Sequence, residues 1–454
     1  MLFTSSWFIL VFLPPALAGW YALAAHPRAR LAFGIAMSTI FYGVWDWRFV
    51  PLPLGLAVLT LLAGRAGTGW AVVGLVLNLG ALGFFKYQAF LASAFLDLTG
   101  TLPWQLSIAL PLGISFFVFQ KVAFLADVRR GTAGRPRGLD FVFFVMFFPQ
   151  LIAGPIVRHH ELIPQLRHDP RTPAMWANLG RGGVLFVIGM AKKIGLADTL
   201  APGADRLFSD ALAGTAFGLA QAWQAALTFG MQIYFDFSGY SDMAIGLALM
   251  FGLVLPFNFD APYRTRSLAE FWRRWHMTLS RLLRDDLYIP LGGNRRGFPR
   301  QLLNLLVTML LAGLWHGAAW TFVAWGGLHG LGLALGAVWA RRGRRLPAPA
   351  GWVLTTAFVM AAWVLFRAET FASAATIYRG LLGFGGVGHW VRVDNGVVLW
   401  VAALVALTGP TSQQAVLQHL RPHRLLAWAA AACLVWLMLM AGGRLPQEFI
   451  YFQF

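Results

Sequence analysis

The chain has 454 residues, of which 58% are hydrophobic and only 12% are charged. A soluble domain of this length carries roughly twice that share of charged residues, so the composition excludes an ordinary water-soluble protein and predicts a polytopic membrane protein. The formal net charge is +18. In a soluble protein this excess would indicate nucleic-acid binding, but here the arginines cluster in loops between apolar runs, as in cytoplasmic loops of membrane proteins. We therefore expect no nucleic-acid partner.

Apolar windows follow one another along the chain, and we expect about 11–13 helical segments from them. They lie near 4–25, 31–66 (a pair broken at 45–48), 67–100, 104–126, 141–157, 180–201, 214–236, 239–256, 302–324, 326–340, 351–368, 397–409 and 424–443. Several are too short or too rich in glycine and proline to cross a bilayer straight, which is typical of re-entrant or broken helices covered by protein. The predicted fold class is all-α, and residues 1–454 are predicted to form one integral-membrane domain.

Several common site types have no signal in this sequence. The N-terminus lacks the basic stretch and cleavage site of a signal peptide, so we expect the first apolar segment to remain as a transmembrane helix. Cys433 is the single cysteine and is predicted to be a small core residue. The absence of G-x-S-x-G, P-loop and G-x-G-x-x-G patterns argues against a serine hydrolase, an ATPase and a nucleotide-dependent oxidoreductase.

The first polar motif in chain order lies at 148–161, where His159 and His160 precede Glu161. This trio suggests a metal cluster, but it lacks the i, i+4 histidine spacing of H-E-x-x-H helices. The prolines in the segment favour a fixed turn instead. We predict a structural loop and no metal site.

Residues 234–242 read YFDFSGYSD and place Asp236, Ser238, Tyr240 and Asp242 between two apolar runs. The two carboxylates are six residues apart, so they lie roughly on opposite sides of a regular helix, which Gly239 could break. Polar groups at this depth serve either as hydrogen-bonding contacts between helices or in proton and substrate handling. The sequence leaves both roles open.

Residues 264–300 hold nine arginines against three acids, with aromatic and leucine side chains interleaved at nearly helical spacing. This pattern predicts an amphipathic helix in the membrane interface. It serves either as an anchor for anionic lipid headgroups or as an electropositive funnel for a phosphate-bearing substrate, because arginine matches phosphate geometry. His276 lies inside the block, and the arginines around it are expected to lower its pKa.

His316 lies within the apolar stretch LAGLWHGAAW at 311–320. An ionisable side chain at membrane depth is costly and marks a pathway, a relay or an active centre. Burial favours the neutral imidazole, which can accept a proton from a hydroxyl group as a general base. The alternative is a structural histidine that a neighbouring helix satisfies. His329 is thirteen residues on, about 220° round a continuous helix, and is predicted to be a packing residue unless the helix breaks between the two.

Seven ordered motifs together resemble the membrane-bound O-acyltransferase family, in the bacterial branch of alginate O-acetyltransferases and teichoic acid D-alanyl transfer proteins. They are LPLGISFF (110–117), GPIVR (154–158), YFDFSGYSD (234–242), FNFDAPY (257–263), FWRRWHMTLS (271–280), YIPLGGN (288–294) and GLWHG (313–317). The terminal FIYFQF (449–454) is similar to the alginate-type members.

The resemblance implies a ring of tilted, partly re-entrant helices around a central funnel that is open to both sides of the membrane. It places the family's two implicated polar positions on His276 and His316. A cytoplasmic thioester, acetyl-CoA, is the implied donor, and its phosphates would meet the arginines of 264–300. The implied mechanism has His316 as general base on the acceptor hydroxyl and His276 orienting the thioester or stabilising the oxyanion. Direct transfer is favoured because no serine or cysteine nucleophile stands out, and an acyl-enzyme stays open.

The sequence therefore predicts an O-acetyltransferase of the bacterial inner membrane, with no bound cofactor, that modifies an alginate-like exopolysaccharide with a periplasmic or membrane-anchored partner. The predicted catalytic residues are His316 and His276. The predicted substrate-binding residues are Arg273, Arg274, Trp315, Tyr240, Asp236, Asp242 and Ser238. The alternatives are D-alanyl transfer from a carrier protein to teichoic acid, a polysaccharide or lipid transporter, and an inactive scaffold of an export complex.

Overall fold

The computed structural model describes residues 1–101, 108–344, 346–391, 396–420, 423–443, 447 and 449–452. All regular elements within these ranges are helical, which confirms the predicted all-α class. In chain order the α-helices are α1 (Leu13–Ala22), α2 (Pro27–Asp46), α3 (Pro51–Ala66), α4 (Thr68–Leu82), α5 (Gln88–Thr99), α6 (Ile114–Arg129), α7 (Gly138–Met146), α8 (Phe148–Leu151), α9 (His159–Leu162), α10 (Met175–Met190), α11 (Asp198–Leu212), α12 (Leu219–Met250), α13 (Leu268–Arg274), α14 (Met277–Leu283), α15 (Phe298–His316), α16 (Trp320–Arg341), α17 (Ala348–Arg367), α18 (Phe371–Leu381), α19 (Gly396–Thr408) and α20 (Arg424–Gly442).

Short π-helical and 3-10 turns extend or join these helices. The π-helical turns are Trp7–Phe12, Gly83–Tyr87, Ala191–Ala197, Arg284–Tyr288 and Gln414–His419. The 3-10 turns are Trp47–Phe49, Ile163–Arg167, Pro262–Arg264 and Ile450–Phe452.

Five helical stretches in the described ranges are long and apolar enough to cross a membrane: Thr68–Thr99, α15, α16, α17 and α20. A sixth span is obtained when Pro27–Phe49 and Pro51–Ala66 are taken together, although they meet at a bend of 103°. This bend confirms the predicted break in the 31–66 window. Part of the predicted 104–126 window lies outside the described residues, and the expected number of 11–13 segments stays a prediction.

The chain forms two compact units. The first comprises Met1–Met190, Tyr240–Phe257 and Val416–Leu445, and the second comprises Ala191–Gly239, Asn258–Ala415 and Pro446–Phe454. Helix α12 contributes to both, since it runs through the division at Gly239. A single integral domain over 1–454 stays a prediction.

In the first unit, α3 packs against α4, α6 and α7, and α10 packs against α20. Aromatic rings fill its core. Phe41 contacts Phe3, Phe8 and Phe148 at centroid distances of 5.5, 5.8 and 5.2 Å. Burial of such rings supplies both apolar area and favourable ring–ring geometry.

In the second unit, α15 and α16 form the most closely packed helix pair, and α17 packs against α16. Gly313 on α15 and Gly326 on α16 permit the close approach, because a Cβ at either position would overlap a carbonyl oxygen of the opposite helix. Small residues at a contact let two apolar helices gain dispersion energy where lipid provides no hydrophobic driving force. The pair holds the end of α15, where His316 lies, in a fixed place.

Two expectations about local structure are wrong. The sequence predicts separate windows at 214–236 and 239–256, with Gly239 able to break the helix, but residues 219–250 form one 32-residue helix. Nearly every side chain from Ala225 to Met250 is buried in the fold, and this packing outweighs the roughly 1 kcal/mol that one glycine costs a helix. The basic block is not one amphipathic helix either, because α13 ends at Arg274 and α14 begins at Met277.

Candidate active site

His316 is the last residue of α15 and is 2% exposed. Gly317 leaves the helix in an extended conformation, and the chain re-enters a helix at Trp320. The helix therefore breaks between His316 and His329, as a shared site would have required. Rings from three helices and the C-terminal segment surround the imidazole: Trp315, Trp325, Phe366 and Tyr451, at centroid distances of 4.8, 5.0, 5.3 and 5.6 Å.

His276 lies between α13 and α14 and is completely buried. Its φ of 43° lies in the left-handed region, which costs a residue with a Cβ on the order of 1 kcal/mol or more. Its ring packs edge-on against Phe237 at 4.6 Å and lies 6.0 Å from the ring of Trp315. Because Trp315 also contacts His316, the structure brings the two predicted catalytic histidines to one aromatic residue.

A hydrogen-bond network fixes the tautomer of His276. The backbone N–H and the hydroxyl of Thr278 both donate to Asn258 Oδ1, at 3.2 and 2.9 Å. His276 Nδ1 lies 3.1 Å from that same oxygen, so Nδ1 must carry the proton. Nε2 then has a free lone pair, and no partner for it occurs in the described part of the chain. The neutral ring can accept a hydrogen bond at Nε2 and cannot donate one there.

The pKa of His276 is lowered from 6.5 to about 3, and the cause is burial. The prediction that neighbouring arginines lower it is wrong about the cause. Arg273 is exposed to solvent, and Arg274 forms an ion pair with Glu270 at 3.0 Å. Removal from water alone disfavours the imidazolium, so His276 is neutral at physiological pH.

The C-terminal segment Phe449–Tyr451 completes the site, and sequence reasoning missed its role. The Tyr451 ring contacts Phe237 at 4.5 Å as well as His316. Phe449 stacks on Tyr451 at 5.5 Å and contacts Phe237 at 5.7 Å. The available signal was a tyrosine within an aromatic tail, but nothing in the sequence indicated which helix the tail contacts. A phenol oxygen is therefore present on a ring that touches the candidate base.

Asp236 holds this segment. Its Oδ2 accepts a hydrogen bond from the backbone N–H of Ile450 at 2.8 Å, and its Oδ1 lies 2.7 Å from Lys193 Nζ. Lys193 Nζ also binds Asp198 Oδ1 at 2.6 Å. Both Lys193 and Asp236 are buried, so their charges depend on these protein partners rather than on water. We name the three side chains Asp198, Lys193 and Asp236, with the Ile450 N–H, the C-terminal clamp.

A narrow polar cavity adjoins the clamp in the second unit. Its polar lining consists of Lys193, Asp198, Asp205, Gln232, Asp236, Arg367 and Gln447. Arg367 pairs with Asp205 at 2.8 Å. The volume of the cavity, about 10 Å³, is no more than a single water molecule needs.

Three other predicted substrate-binding residues, Ser238, Tyr240 and Asp242, lie on α12. Ser238 is buried in the second unit, one residue beyond Phe237. Tyr240 and Asp242 are buried in the first unit, where Tyr240 stacks on Phe3 at 4.9 Å. Their roles toward substrate stay predictions, as do those of the two arginines.

Two other histidine groups have structural surroundings. His329 Nδ1 accepts a hydrogen bond from Trp272 Nε1 at 3.3 Å, as expected of a packing residue. Asp127, His159 and His160 place their possible ligand atoms within 4.8 Å of one another. However, Asp127 already pairs with Arg130 at 2.5 Å and Arg158 at 3.5 Å, so the single carboxylate of this cluster is neutralised and fits a cation poorly.

The described helices are those of a membrane protein, and comparison with known proteins gives its class. The profile of the membrane-bound O-acyltransferase family matches residues 68–374. The chain therefore belongs to the membrane-bound O-acyltransferase family, and it is a multi-pass membrane O-acyltransferase.

Relatives with assigned names cover most of the chain. A peptidoglycan O-acetyltransferase from Helicobacter pylori is 37% identical over 433 residues, which cover 85% of this chain and 81% of that protein. A probable alginate O-acetylase AlgI from Azotobacter vinelandii is 42% identical over 415 residues, covering 87% of this chain and 80% of that protein. A teichoic acid D-alanyltransferase from Streptococcus thermophilus is 30% identical, covering 51% of this chain and 58% of that protein.

Proposed function

We propose that this protein moves an acetyl group from cytoplasmic acetyl-CoA, across the bacterial inner membrane, to a hydroxyl acceptor for O-acetylation of an alginate-like exopolysaccharide. The observation that carries the proposal is the placement of His276 and His316 against Trp315 in a buried aromatic site. No bound cofactor is needed, because the donor is a substrate. The proposed partners are a periplasmic or membrane-anchored acetyltransferase, the polysaccharide acceptor and membrane lipids.

His316 is the proposed general base. Its imidazole takes the proton of the acceptor hydroxyl while that oxygen attacks the thioester carbonyl carbon. The C–S bond then breaks, and His316 returns the proton to the departing thiolate, giving the ester and free CoA. Water would compete as an acceptor, so the surrounding rings of Trp315, Trp325 and Phe366 favour transfer over hydrolysis.

His276 is the proposed hydrogen-bond acceptor that orients a substrate hydroxyl or thiol. Its bond to Asn258 puts the ring proton on Nδ1, and its low pKa keeps the ring neutral. This replaces the oxyanion-stabilising role that the family resemblance implied, since a neutral ring with a bare Nε2 has no proton to donate to an oxyanion.

Tyr451 provides a second chemical route. Its ring lies against His316, so the same base could take the phenol proton while Tyr451 Oη attacks the thioester. The products of that step are CoA and an acetyl ester on Tyr451. A second attack by the acceptor hydroxyl restores the phenol and forms the product ester. Direct transfer stays the first proposal, and the route through Tyr451 is favoured only by this contact.

The proposed donor contacts are the exposed arginines of the basic block. Arg273 and Arg284 are exposed, as are Arg295, Arg296 and Arg300. Arg284 pairs with Asp285 at 2.8 Å. Exposed guanidinium groups on a surface segment attract the phosphates of acetyl-CoA, with a strength that falls as salt is added.

D-alanyl transfer from a carrier protein is the alternative within the family. The relatives with that name match about half of this chain, whereas those named O-acetylase or O-acetyltransferase match about 85% of it at higher identity. This difference supports the acetyl donor. The transporter alternative has no support, because the family is one of acyltransferases.

The test is acetyl transfer from radiolabelled acetyl-CoA by the purified full-length protein in detergent, together with its proposed periplasmic partner and an alginate acceptor. His316→Gln is compared with His329→Gln, which changes a buried histidine of α16 whose ring packs on Trp325 at 4.8 Å and which is predicted to be a packing residue. We expect label on partner or polymer with wild type and His329→Gln, and about 10²–10⁴-fold less with His316→Gln. Equal labelling by both variants would remove His316 from the chemistry. Labelling only when a D-alanyl-loaded carrier replaces acetyl-CoA would favour the alternative.

A further inference from the structure

Arg30 is a buried cation in the first unit. It lies in the first turn of α2 and is 1% exposed. Within the described ranges no carboxylate lies at ion-pairing distance from it. A buried guanidinium without a counter-ion is costly, so its surroundings should supply compensation.

The compensation from the protein is partial. Arg30 Nη2 donates to the carbonyl oxygens of Leu166 and His168 at 2.8 and 3.0 Å. The guanidinium carbon also lies 4.9 Å from the centre of the Trp20 ring, a cation–π contact. The remaining donors, Nε and Nη1, have no acceptor among the described residues. Two of the three guanidinium nitrogens therefore have unmet hydrogen-bonding capacity inside the fold.

A cavity of about 60 Å³ adjoins this group. Its polar lining is Arg30, Gln165, His168, Asp169, Thr172 and Asn178. This volume exceeds what one water molecule needs. The side-chain amide of Gln165 is already hydrogen-bonded. Its nitrogen donates to the backbone carbonyl oxygens of Glu161 and Val254, and its oxygen accepts from the backbone N–H of Val254.

Charges of both signs near the cavity act on Arg30. Asp169, the acid in its lining, attracts Arg30 beyond ion-pairing distance, but its exposed carboxylate pairs with Arg171 at 2.9 Å, and Arg171 repels Arg30. Arg28 and Arg167 are exposed arginines close in sequence to lining residues of the cavity. Arg28 lies on α2 with Arg30, and Arg167 follows Leu166, whose carbonyl oxygen binds Arg30. The cavity also lies at the start of α2, which is the first half of the bent candidate span. The end of a membrane span lies near the lipid phosphates.

We propose that this cavity is a phosphate-binding site in which Arg30 provides the buried positive charge. The ligand is a phosphate ester, either the headgroup of an anionic phospholipid or a soluble phosphate compound. Arginine suits this ligand because it stays charged when buried and carries several donors. The proposal is independent of the acyl-transfer chemistry, since it concerns only residues of the first unit.

The test measures thermal stabilisation of the full-length protein in an uncharged detergent, with phosphatidylglycerol added in mixed micelles in one arm and inorganic phosphate in the other. The variants are Arg30→Gln and the matched control Arg28→Gln, which removes the same charge from an exposed position two residues away. We expect stabilisation of wild type and Arg28→Gln, and an apparent affinity at least about tenfold weaker in Arg30→Gln.

The two arms identify the source. A response to phosphatidylglycerol alone assigns a lipid headgroup, and a response to both probes assigns a site open to soluble phosphate. If Arg30→Gln does not fold, Arg30→Lys replaces it, because a lysine keeps the charge but not all the donors and should weaken binding by a smaller factor. The proposal is overturned if wild type responds to neither probe, or if the Arg30 variants respond as strongly as Arg28→Gln.

Discussion

The buried charges of the C-terminal clamp predict how variants at Lys193 and Asp236 change the free energy of unfolding. In Lys193→Met, the carboxylates of Asp198 and Asp236 lose their shared cation, and Asp236 is almost completely buried. Removal of one partner of a buried ion pair costs about 3–5 kcal/mol of unfolding free energy, because the other charge stays buried. Asp236→Asn should cost less, about 1–3 kcal/mol, because the amide oxygen still accepts from Ile450 and Lys193 keeps Asp198.

The double variant Lys193→Met/Asp236→Asn provides the test. It leaves no unpaired charge at position 236, so it should be more stable than Lys193→Met alone, by about 2 kcal/mol. Thermal unfolding of the four proteins in one detergent measures the order, which we expect to be wild type, Asp236→Asn, the double variant and Lys193→Met, from most to least stable.

The transfer assay gives a second reading of the same variants. Asp236→Asn retains the acceptor for the Ile450 N–H, so it should keep the segment Phe449–Tyr451 beside His316. It should therefore lose less activity than Asp236→Leu. We expect the two variants to differ in kcat rather than in KM for the donor. A double variant less stable than both single variants would contradict the account of the clamp, because additive losses would mean that the two charges do not compensate each other.

Three further predictions concern the site and the helices that hold it. Tyr451→Phe should retain acetyl transfer if transfer is direct and abolish it if the acetyl group passes through Tyr451. Mass spectrometry of the enzyme after incubation with the donor alone reports whether an acetyl tyrosine forms. The pKa of His276 is lowered from 6.5 to about 3 in the fold, so the unfolded chain binds the extra proton between these values. His276 therefore makes the protein less stable as pH falls from 6.5 toward 3 and has no such effect above 6.5. Over that range the melting temperature of His276→Gln should fall less steeply than that of wild type. Parallel curves of melting temperature against pH for the two proteins would contradict this. Gly326→Val should disrupt the contact of α15 with α16 and lower the melting temperature, whereas Gly327→Ala meets only an ordinary side-chain contact and should change it little; equal shifts would show that the close approach does not matter.

The sequence predicted the parts of this molecule that depend on local pattern. Apolar runs gave the all-α class, and the ionisable His316 within one of them marked the candidate centre. The sequence predicted a helix break between His316 and His329 only on the condition that the two share a site. The break occurs at residues 317–319, a glycine and two alanines. The continuity of α12 through Gly239 was not predicted, because it depends on packing along almost the whole helix rather than on the propensity of one residue.

The missing parts depend on contacts distant in sequence. Lys193 lies 43 residues from Asp236, and Tyr451 lies 135 residues from His316, so no spacing rule relates either pair. Arg30 had no signal for a different reason, since one arginine at the start of an apolar segment is expected from membrane topology alone. The cause of the low pKa of His276 was misjudged because the sequence places arginines beside it but does not give their directions.

The most direct test of the central claim is single-turnover acetyl transfer from acetyl-CoA by wild type, His316→Gln and His329→Gln, each verified as folded by size-exclusion chromatography. The proposed mechanism predicts that His316→Gln binds the donor but transfers about 10²–10⁴-fold more slowly, with His329→Gln close to wild type. Transfer by His316→Gln at the wild-type rate would contradict the claim that this histidine is the general base.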